Sequence, residues 1–319
     1  MSASPESTAG APGTSPDGTS ASGVWPPPGT PSQARRLPRN SARAWKEPWA
    51  VMPSMDIPPH GGTPVRLLAL NIQHAAVRRV PLVAKAVLDA VPDVVVLSEF
   101  YLNIQGGRLL GLLEAAGLVH QAHGVAGSER YPYTVVIASR TPIAHTRRPL
   151  DGSPHAQRIL EATISGISVA AVYFPLAKEH DPFWDGLFSP YADSLATRPA
   201  IIAGDWNTGS GALDIGGGPV AGMSRFDCLL ASGWTDAWRA LHPDVREFTW
   251  YNRRSGNGFR IDHALLSPVL VPRLRTAEHL HGTRTSGATD HSGLLVDLDE
   301  IVPASEAASS RMPGSVRPG

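Results

Sequence analysis

Short apolar runs recur between residues 65 and 298, and most of them stop on a polar side chain. Val65–Asn71 is the first, and its β-branched and aliphatic content predicts a buried strand. A helix is expected over Val80–Val91, with Lys85 and Asp89, four residues apart, on its solvent side. Val94–Glu99 reads as a second strand and Val135–Ser139 as a third. Leu109–Ala116 reads as a helix with Gly117 placed to cap it. Ile159–Ile164 and Ile167–Tyr173, joined by Ser165-Gly166, have the pattern of a hairpin. A helix over Phe183–Ala196 precedes the run Pro199–Asp205, another buried strand, in which Gly204 gives the backbone freedom to turn. Leu229–Trp238 reads as helix and turn, Arg260–Leu266 as a strand and Leu294–Leu298 as the last strand. Hairpins mixed with helical crossovers predict an α/β fold in which two packed sheets carry helices outside.

Composition limits this picture at both ends. Residues 1–63 are rich in Pro, Gly, Ser and Thr, too poor in apolar surface to offset the entropy of ordering, and are expected to be disordered. Arg35, Arg36, Arg39, Arg43 and Lys46 lie there near Trp45 and Trp49. They suit either a nucleic-acid or protein contact or a solvated linker. The tail 303–319 returns to the same composition and is expected to be disordered, which leaves 64–302 as one ordered domain. Formal charge is +0, and 64–302 carries 21 Lys and Arg against 23 Asp and Glu, so no basic coat for nucleic acid is visible. The single Cys228 excludes an intrachain disulfide and a multi-cysteine zinc site. With no secretory signal and no membrane-length apolar run, a cytoplasmic monomer without a membrane span is expected.

The polar strand ends are the candidate chemistry: Asn71 with Gln73, Glu99, Tyr173, Asp205 with Asn207, Asp262, and Asp290 with His291. Each alone has an ordinary structural explanation, such as an Asx turn, a helix-terminal charge or edge packing. Taken together they are several carboxylates, three amides and a histidine with no nearby lysine. Converging carboxylates are stable in ionised form only around a cation, and an oxygen-rich donor set suits Mg²⁺, with Mn²⁺ as a substitute. Glu99 is the leading ligand candidate, with Asp290 and Asn71 beside it. Asp205 is placed to take a proton from water, Asn207 to orient that water or a phosphate, and His291 to donate to phosphate with its tautomer fixed by Asp262. Tyr173 is a further donor.

These residues stand in an order and approximate spacing that resemble the endonuclease/exonuclease/phosphatase superfamily. The matching motifs are Asn71 with Gln73, Glu99, Tyr173-Phe-Pro, Gly204-Asp-Trp-Asn, Phe248-Thr-Trp250, Phe259-Arg-Ile-Asp262 and Thr289-Asp-His291. The chain looks most like the exonuclease III and abasic-site endonuclease branch. That resemblance implies a four-layer sandwich of two mixed β-sheets flanked by helices, and Mg²⁺-dependent attack on phosphorus. It also implies a pocket for a flipped sugar at Trp250, Phe259 and Ile261, for which core packing is an equal reading.

Two features depart from that branch. Its metal-binding Glu normally follows a glutamine and precedes a small or β-branched residue and then a lysine, whereas this chain has Ser98-Glu99-Phe100-Tyr101. The loop between Trp250 and Phe259 is short, although Arg253 and Arg254 there could grip phosphate. The expected activity is therefore divalent-metal-dependent phosphodiester hydrolysis, with nucleic acid, DNA above all, as substrate. The alternatives are a small phosphorylated molecule or lipid headgroup at the same centre, or a catalytically silent binding module. His120, His123 and His180 with Asp181 read as surface groups, and Cys228 as a buried thiol on an apolar helix face. Gly216-Gly-Gly lacks the lysine of a phosphate loop and reads as a turn.

Overall fold

In the computed structural model, residues 65–126 and 132–299 are described. The expectations of disorder in 1–63 and 303–319, and the Arg/Trp stretch within the first, lie outside these residues. In chain order the strands are β1 (Val65–Asn71), β2 (Val94–Tyr101), β3 (His120–His123), β4 (Tyr133–Ser139), β5 (Ile143–Arg147), β6 (Ile159–Ile164) and β7 (Ile167–Tyr173). They continue as β8 (Ala200–Asp205), β9 (Thr235–Asp236), β10 (Trp250–Tyr251), β11 (Gly258–Phe259), β12 (Asp262–Leu266), β13 (Leu274–Leu280) and β14 (Gly293–Leu298). One sheet has the order β13-β14-β1-β2-β4-β3, the other β5-β6-β7-β8-β12-β9, and β10 pairs with β11 alone. Both large sheets are mixed: β1 and β2 run parallel in the first, β7 and β8 in the second, and the other pairings are antiparallel.

The period-2 alternation of strands decides how these sheets stack. Leu67, Ala69, Val94 and Val96 point inward and meet Val169, Ala171, Ile201, Ala203 and Leu266 of the other sheet in one core cluster. Their neighbours Leu68, Leu70, Val95 and Leu97 point the other way, onto Val83, Val87, Leu109 and Leu113 of the helices Val80–Asp89 and Ile104–Ala115. On the far side, Ala170, Val172 and Ile202 face Phe183, Trp184, Phe188, Tyr191, Leu195 and Phe226. The result is the expected order helix, sheet, sheet, helix.

Local signals explain most boundaries. Ser165 and Gly166 both have positive φ, 49° and 78°, as a two-residue turn matched to strand twist requires. The helix Ile104–Ala115 is capped at its start by Asn103 Oδ1, which accepts from the Gln105 and Gly106 N–H groups. It ends as the sequence predicts at Gly117, with φ +94°, whose N–H donates to the Glu114 carbonyl. Lys85 and Asp89 do pair on the solvent side, at 2.6 Å.

Several expectations need correcting. Gly204 does not turn the chain out of its strand; it lies within β8 at φ +144°, where a Cβ would stand 2.1 Å from the Val172 carbonyl of the adjacent strand. The helix expected from Phe183 begins at His180 and contains a π-helical turn over Trp184–Phe188. His180 is buried, not superficial: its Nε2 lies 3.1 Å from the Trp206 carbonyl oxygen and its ring stacks on Trp184. Cys228 is exposed. In the helix Met223–Ala231 it is Phe226 and Leu229 that turn inward, which carries the intervening Cys228 outward. The strand expected from Arg260 starts at Asp262, because Arg260 is buried in an ion cluster with Asp214 and Asp236.

Candidate active site

The topology brings the polar strand ends to one edge of the sandwich. Asn71 and Tyr173 end β1 and β7, Asp205 ends β8, and Asp262 opens β12 directly opposite Asp205. Asp290 and His291 immediately precede β14, which runs antiparallel to β1. Glu99 reaches the same edge by a different device. Strand β2 continues past it to Tyr101, and the register with β4 shifts between Leu97 and Phe100, with Glu99 at φ +52°. Such a bulge re-aims one side chain without ending the strand.

Within this edge the groups are directly linked. Asn71 Nδ2 donates to Asp205 Oδ2 at 2.8 Å, while the Asn207 N–H donates to Asp205 Oδ1 at 2.9 Å. His291 Nδ1 donates to Asp262 Oδ2 at 2.8 Å, which fixes the imidazole plane. Asp205, Asp262 and His291 lie close enough for one ligand atom of each to fall within 4.8 Å of the others. Tyr173 Oη donates to Glu99 Oε1 at 3.2 Å, and His74 Nδ1 stands 3.2 Å from Glu99 Oε2. Asp290 Oδ2 accepts from Gln73 Nε2 at 2.9 Å and from Trp250 Nε1 at 3.3 Å.

Electrostatics follow from burial and crowding. Burial, then the facing Asp262 carboxylate, push the Asp205 carboxyl up to about 7, with Glu99 adding and His291 opposing. Burial works against a charged His291, but the Asp262 carboxylate outweighs it and the imidazole is pushed up to about 10. Burial first, and the nearby carboxylates second, raise the Tyr173 phenol far above its ordinary value, so it stays a neutral donor.

The donor set fits a hard divalent cation. Four carboxylates (Glu99, Asp205, Asp262 and Asp290) share one edge, and among the described residues no lysine pairs with any of them. Asp290 Oδ1 is buried without a hydrogen-bond partner. Asp262 and His291 are engaged with each other, whereas Asp290 Oδ1 is left without a partner and Glu99 meets only the Tyr173 hydroxyl and the His74 ring, so Glu99 and Asp290 could serve as ligands.

The remaining sequence candidates divide. Trp250 and Phe259 pair across β10 and β11 with ring centroids 5.8 Å apart, and Trp250 stands 6.4 Å from the His291 ring, so both flank the site; Ile261 is buried behind them. Asn207 reaches the edge, but its Nδ2 donates to the Phe174 carbonyl at 2.8 Å. Arg253 stands 3.9 Å from Asp290, whereas exposed Arg254 makes no side-chain contact with the site.

Three further groups join the site. His74 stacks on Tyr133 at 4.3 Å, and Tyr101 meets both edge-on, forming an aromatic wall beside Glu99. Tyr101 occupies the position that departs from the lysine of the branch this chain resembles. Arg158 is buried with its Nη1 donating to the Tyr173 carbonyl and its guanidinium 5.2 Å from that ring. No strand pattern marks His74 or Arg158, since both sit in single 3₁₀ turns.

Known proteins resemble this chain in sequence and in fold. The family model described as Endonuclease/Exonuclease/phosphatase family matches residues 68–291. An exodeoxyribonuclease of Streptococcus pneumoniae is 28% identical over 167 residues, which cover 44% of this chain and 59% of that protein. The DNA repair nuclease APEX1 of Danio rerio is 30% identical over 139 residues, covering 37% of this chain and 45% of that protein. The chain thus spans about half the length of the curated relatives it matches. The structure of a 3′ phosphatase, NExo from Neisseria, bound to a product DNA hairpin superposes with a TM-score of 0.62 at 24% identity, covering 74% of this chain and 99% of that one. An AP endonuclease from Archaeoglobus fulgidus gives 0.60 at 21% identity, covering 73% and 99%. At these identities the two structures speak to the fold. With the family model spanning β1 to the Asp290-His291 pair, this chain belongs to the endonuclease/exonuclease/phosphatase family.

Proposed function

We propose that this chain is a Mg²⁺-dependent phosphodiester hydrolase that cuts DNA as an endo- or exonuclease. The observation that carries the reading is the gathering of two hydrogen-bonded pairs, Asn71 with Asp205 and His291 with Asp262, from four separate strand ends, with ligand atoms of Asp205, Asp262 and His291 within 4.8 Å of one another. The DNA-directed names of the exodeoxyribonuclease and APEX1 relatives support the polymer over a small phosphoester.

Asp205 is the proton acceptor for the attacking water. Its two oxygens are oriented by the Asn71 amide and the Asn207 N–H, so the water is held in one direction. His291, held by Asp262, donates to a phosphoryl oxygen and offsets its growing negative charge. Tyr173 supplies a second donor, and Asn207 Oδ1 remains to orient water or phosphate. Glu99 and Asp290, with Asn71, would hold Mg²⁺ or Mn²⁺, which when bound polarises the phosphoryl group and steadies the leaving oxygen. Trp250 and Phe259 form an aromatic side on which a sugar or base can pack.

The test is a labelled substrate panel with Mg²⁺: duplex DNA with an abasic site, single-stranded DNA, RNA, sphingomyelin and inositol phosphates. Cutting of DNA, at the abasic site or from a 3′ end, is the expected result. Hydrolysis of the small phosphoesters alone would overturn the nucleic-acid reading and keep the catalytic centre.

A further inference from the structure

Beside the catalytic edge lies a cavity of about 370 Å³ whose wall includes Arg79, Arg253 and Arg284, from three separate segments of the chain. We propose that this cavity is a phosphate subsite, which holds one non-scissile phosphate of the nucleic-acid strand while the phosphodiester beside Asp205 and His291 is cut. The assignment rests on the nucleic-acid reading above and adds to it a place and three residues.

The argument is one of unmatched charge and fixed geometry. Several guanidinium groups elsewhere are neutralised at short range, Arg66 by Asp297 at 2.8 Å, Arg225 by Asp185 at 2.6 Å and Arg260 by Asp214 at 2.7 Å, while Arg140 is directed at the Pro92 and Ala116 carbonyl oxygens. A second cavity, of about 390 Å³, also contains an arginine, Arg147, but Glu161 pairs with it at 3.1 Å. Around the first cavity the only carboxylate within ion-pair reach of the three arginines, among the described residues, is Asp290, 3.9 Å from Arg253. That carboxylate already accepts from Gln73 and Trp250. Three cations therefore converge with little negative charge to meet them, in a molecule whose overall charge is near zero. A phosphate, with its several acceptor oxygens, supplies what is missing.

Two of the three arginines are held in place before any ligand arrives. Arg284 lies over the Tyr251 ring at 4.6 Å, with its Nε donating to Ser292 Oγ at 3.4 Å. Arg79 donates to the Gln73 side-chain and backbone oxygens, in a turn where Gln73, His74 and Ala75 all have positive φ. Gln73 links that turn to Asp290, so the cavity and the catalytic edge share one hydrogen-bonded frame. Arg253 is exposed, at 3.9 Å from Asp290.

The test is DNA binding by the full chain in the Asp205→Asn background with Mg²⁺, read by fluorescence anisotropy across a salt series. Arg284→Ala is expected to weaken binding about tenfold and to lower the slope of log Kd against log salt by about 0.7–0.9, the signature of one lost phosphate contact. Arg253→Ala, at an exposed position that tolerates truncation, should act in the same direction if Arg284→Ala perturbs the fold. Arg275→Ala, a charge loss on β13 outside the cavity, should leave the slope unchanged. Single methylphosphonate replacements along the strand, and strands with and without a terminal phosphate, then identify which phosphate is held. The position that matters to the parent protein should cost Arg284→Ala nothing. DNA that binds and is cut by wild type, with slopes unmoved by Arg284→Ala and Arg253→Ala, overturns the subsite alone. Failure of wild type to bind or cut any DNA overturns the nucleic-acid reading, and the subsite with it.

Discussion

The Asn71 amide and the Asp205 carboxylate meet at 2.8 Å across the seam between the two sheets, one at the end of β1 and the other at the end of β8. The bond holds a buried carboxylate in one orientation and satisfies one of its oxygens. Asn71→Ala should lower kcat by about 10²-fold through misplacement of the proton acceptor. It should also lower stability by about 1–3 kcal/mol, the usual result of stripping a buried acceptor of its partner. Single-turnover rates and denaturant melts of the variant check both.

The His291–Asp262 pair supports a second prediction. Asp262→Asn keeps the shape but removes the charge that favours a protonated imidazole and fixes its tautomer. A fall in kcat of about 10²–10⁴-fold is expected, with DNA affinity nearly unchanged. Equal losses in affinity and rate would point instead to a role in binding.

A third concerns stability against pH. Asp214 and Asp236 are buried around Arg260, with His263 on Asp236. Burial alone would raise both carboxyls; the Arg260 guanidinium outweighs it and holds both below the usual carboxylate range. Folded values lower than unfolded ones give stability that is complete above about pH 4 and lost as pH falls further. Melting temperature should therefore drop steeply below about pH 4 in the wild type and less steeply in Asp214→Asn. At neutral pH that variant should be less stable by about 3–5 kcal/mol, since it leaves Arg260 buried with part of its charge unpaired. Melts at several pH values distinguish these outcomes.

Metal dependence gives a fourth. Excess chelator should abolish activity, and Mg²⁺ or Mn²⁺ should restore it. Glu99→Gln should need at least about tenfold more metal for half-maximal rate. Calorimetric titration of Mg²⁺ into both proteins provides the reading without turnover, and full activity in chelator would contradict the metal site.

The sequence displayed the edge chemistry because each strand announces itself by local apolar content and delivers its polar residue immediately afterwards. Asn71, Tyr173 and Asp205 are visible for that reason. The bonds among them are not, since they arise only when two sheets pack. Strands β3, β5 and β13 were missed because their half-exposed sequences, His-Gln-Ala-His, Ile-Ala-His-Thr-Arg and Leu-Arg-Thr-Ala-Glu-His-Leu, carry too few apolar positions to show a period. His180 looks like a surface residue in sequence, and Arg260 like the first residue of a strand. Their burial depends on long-range partners, the Trp206 carbonyl for one and Asp214 with Asp236 for the other. Arg79 and Arg284, more than two hundred positions apart, acquire a shared cavity only in the folded chain.

The central claim is that Asp205, oriented from both sheets, accepts the proton of the attacking water. The most direct measurement is the single-turnover rate of Asp205→Asn against wild type on the best DNA substrate with saturating Mg²⁺, after matched melts and matched DNA affinity. A loss of about 10³-fold or more with fold and binding intact is the expected result. Near-normal turnover in the folded, metal-loaded variant would contradict it.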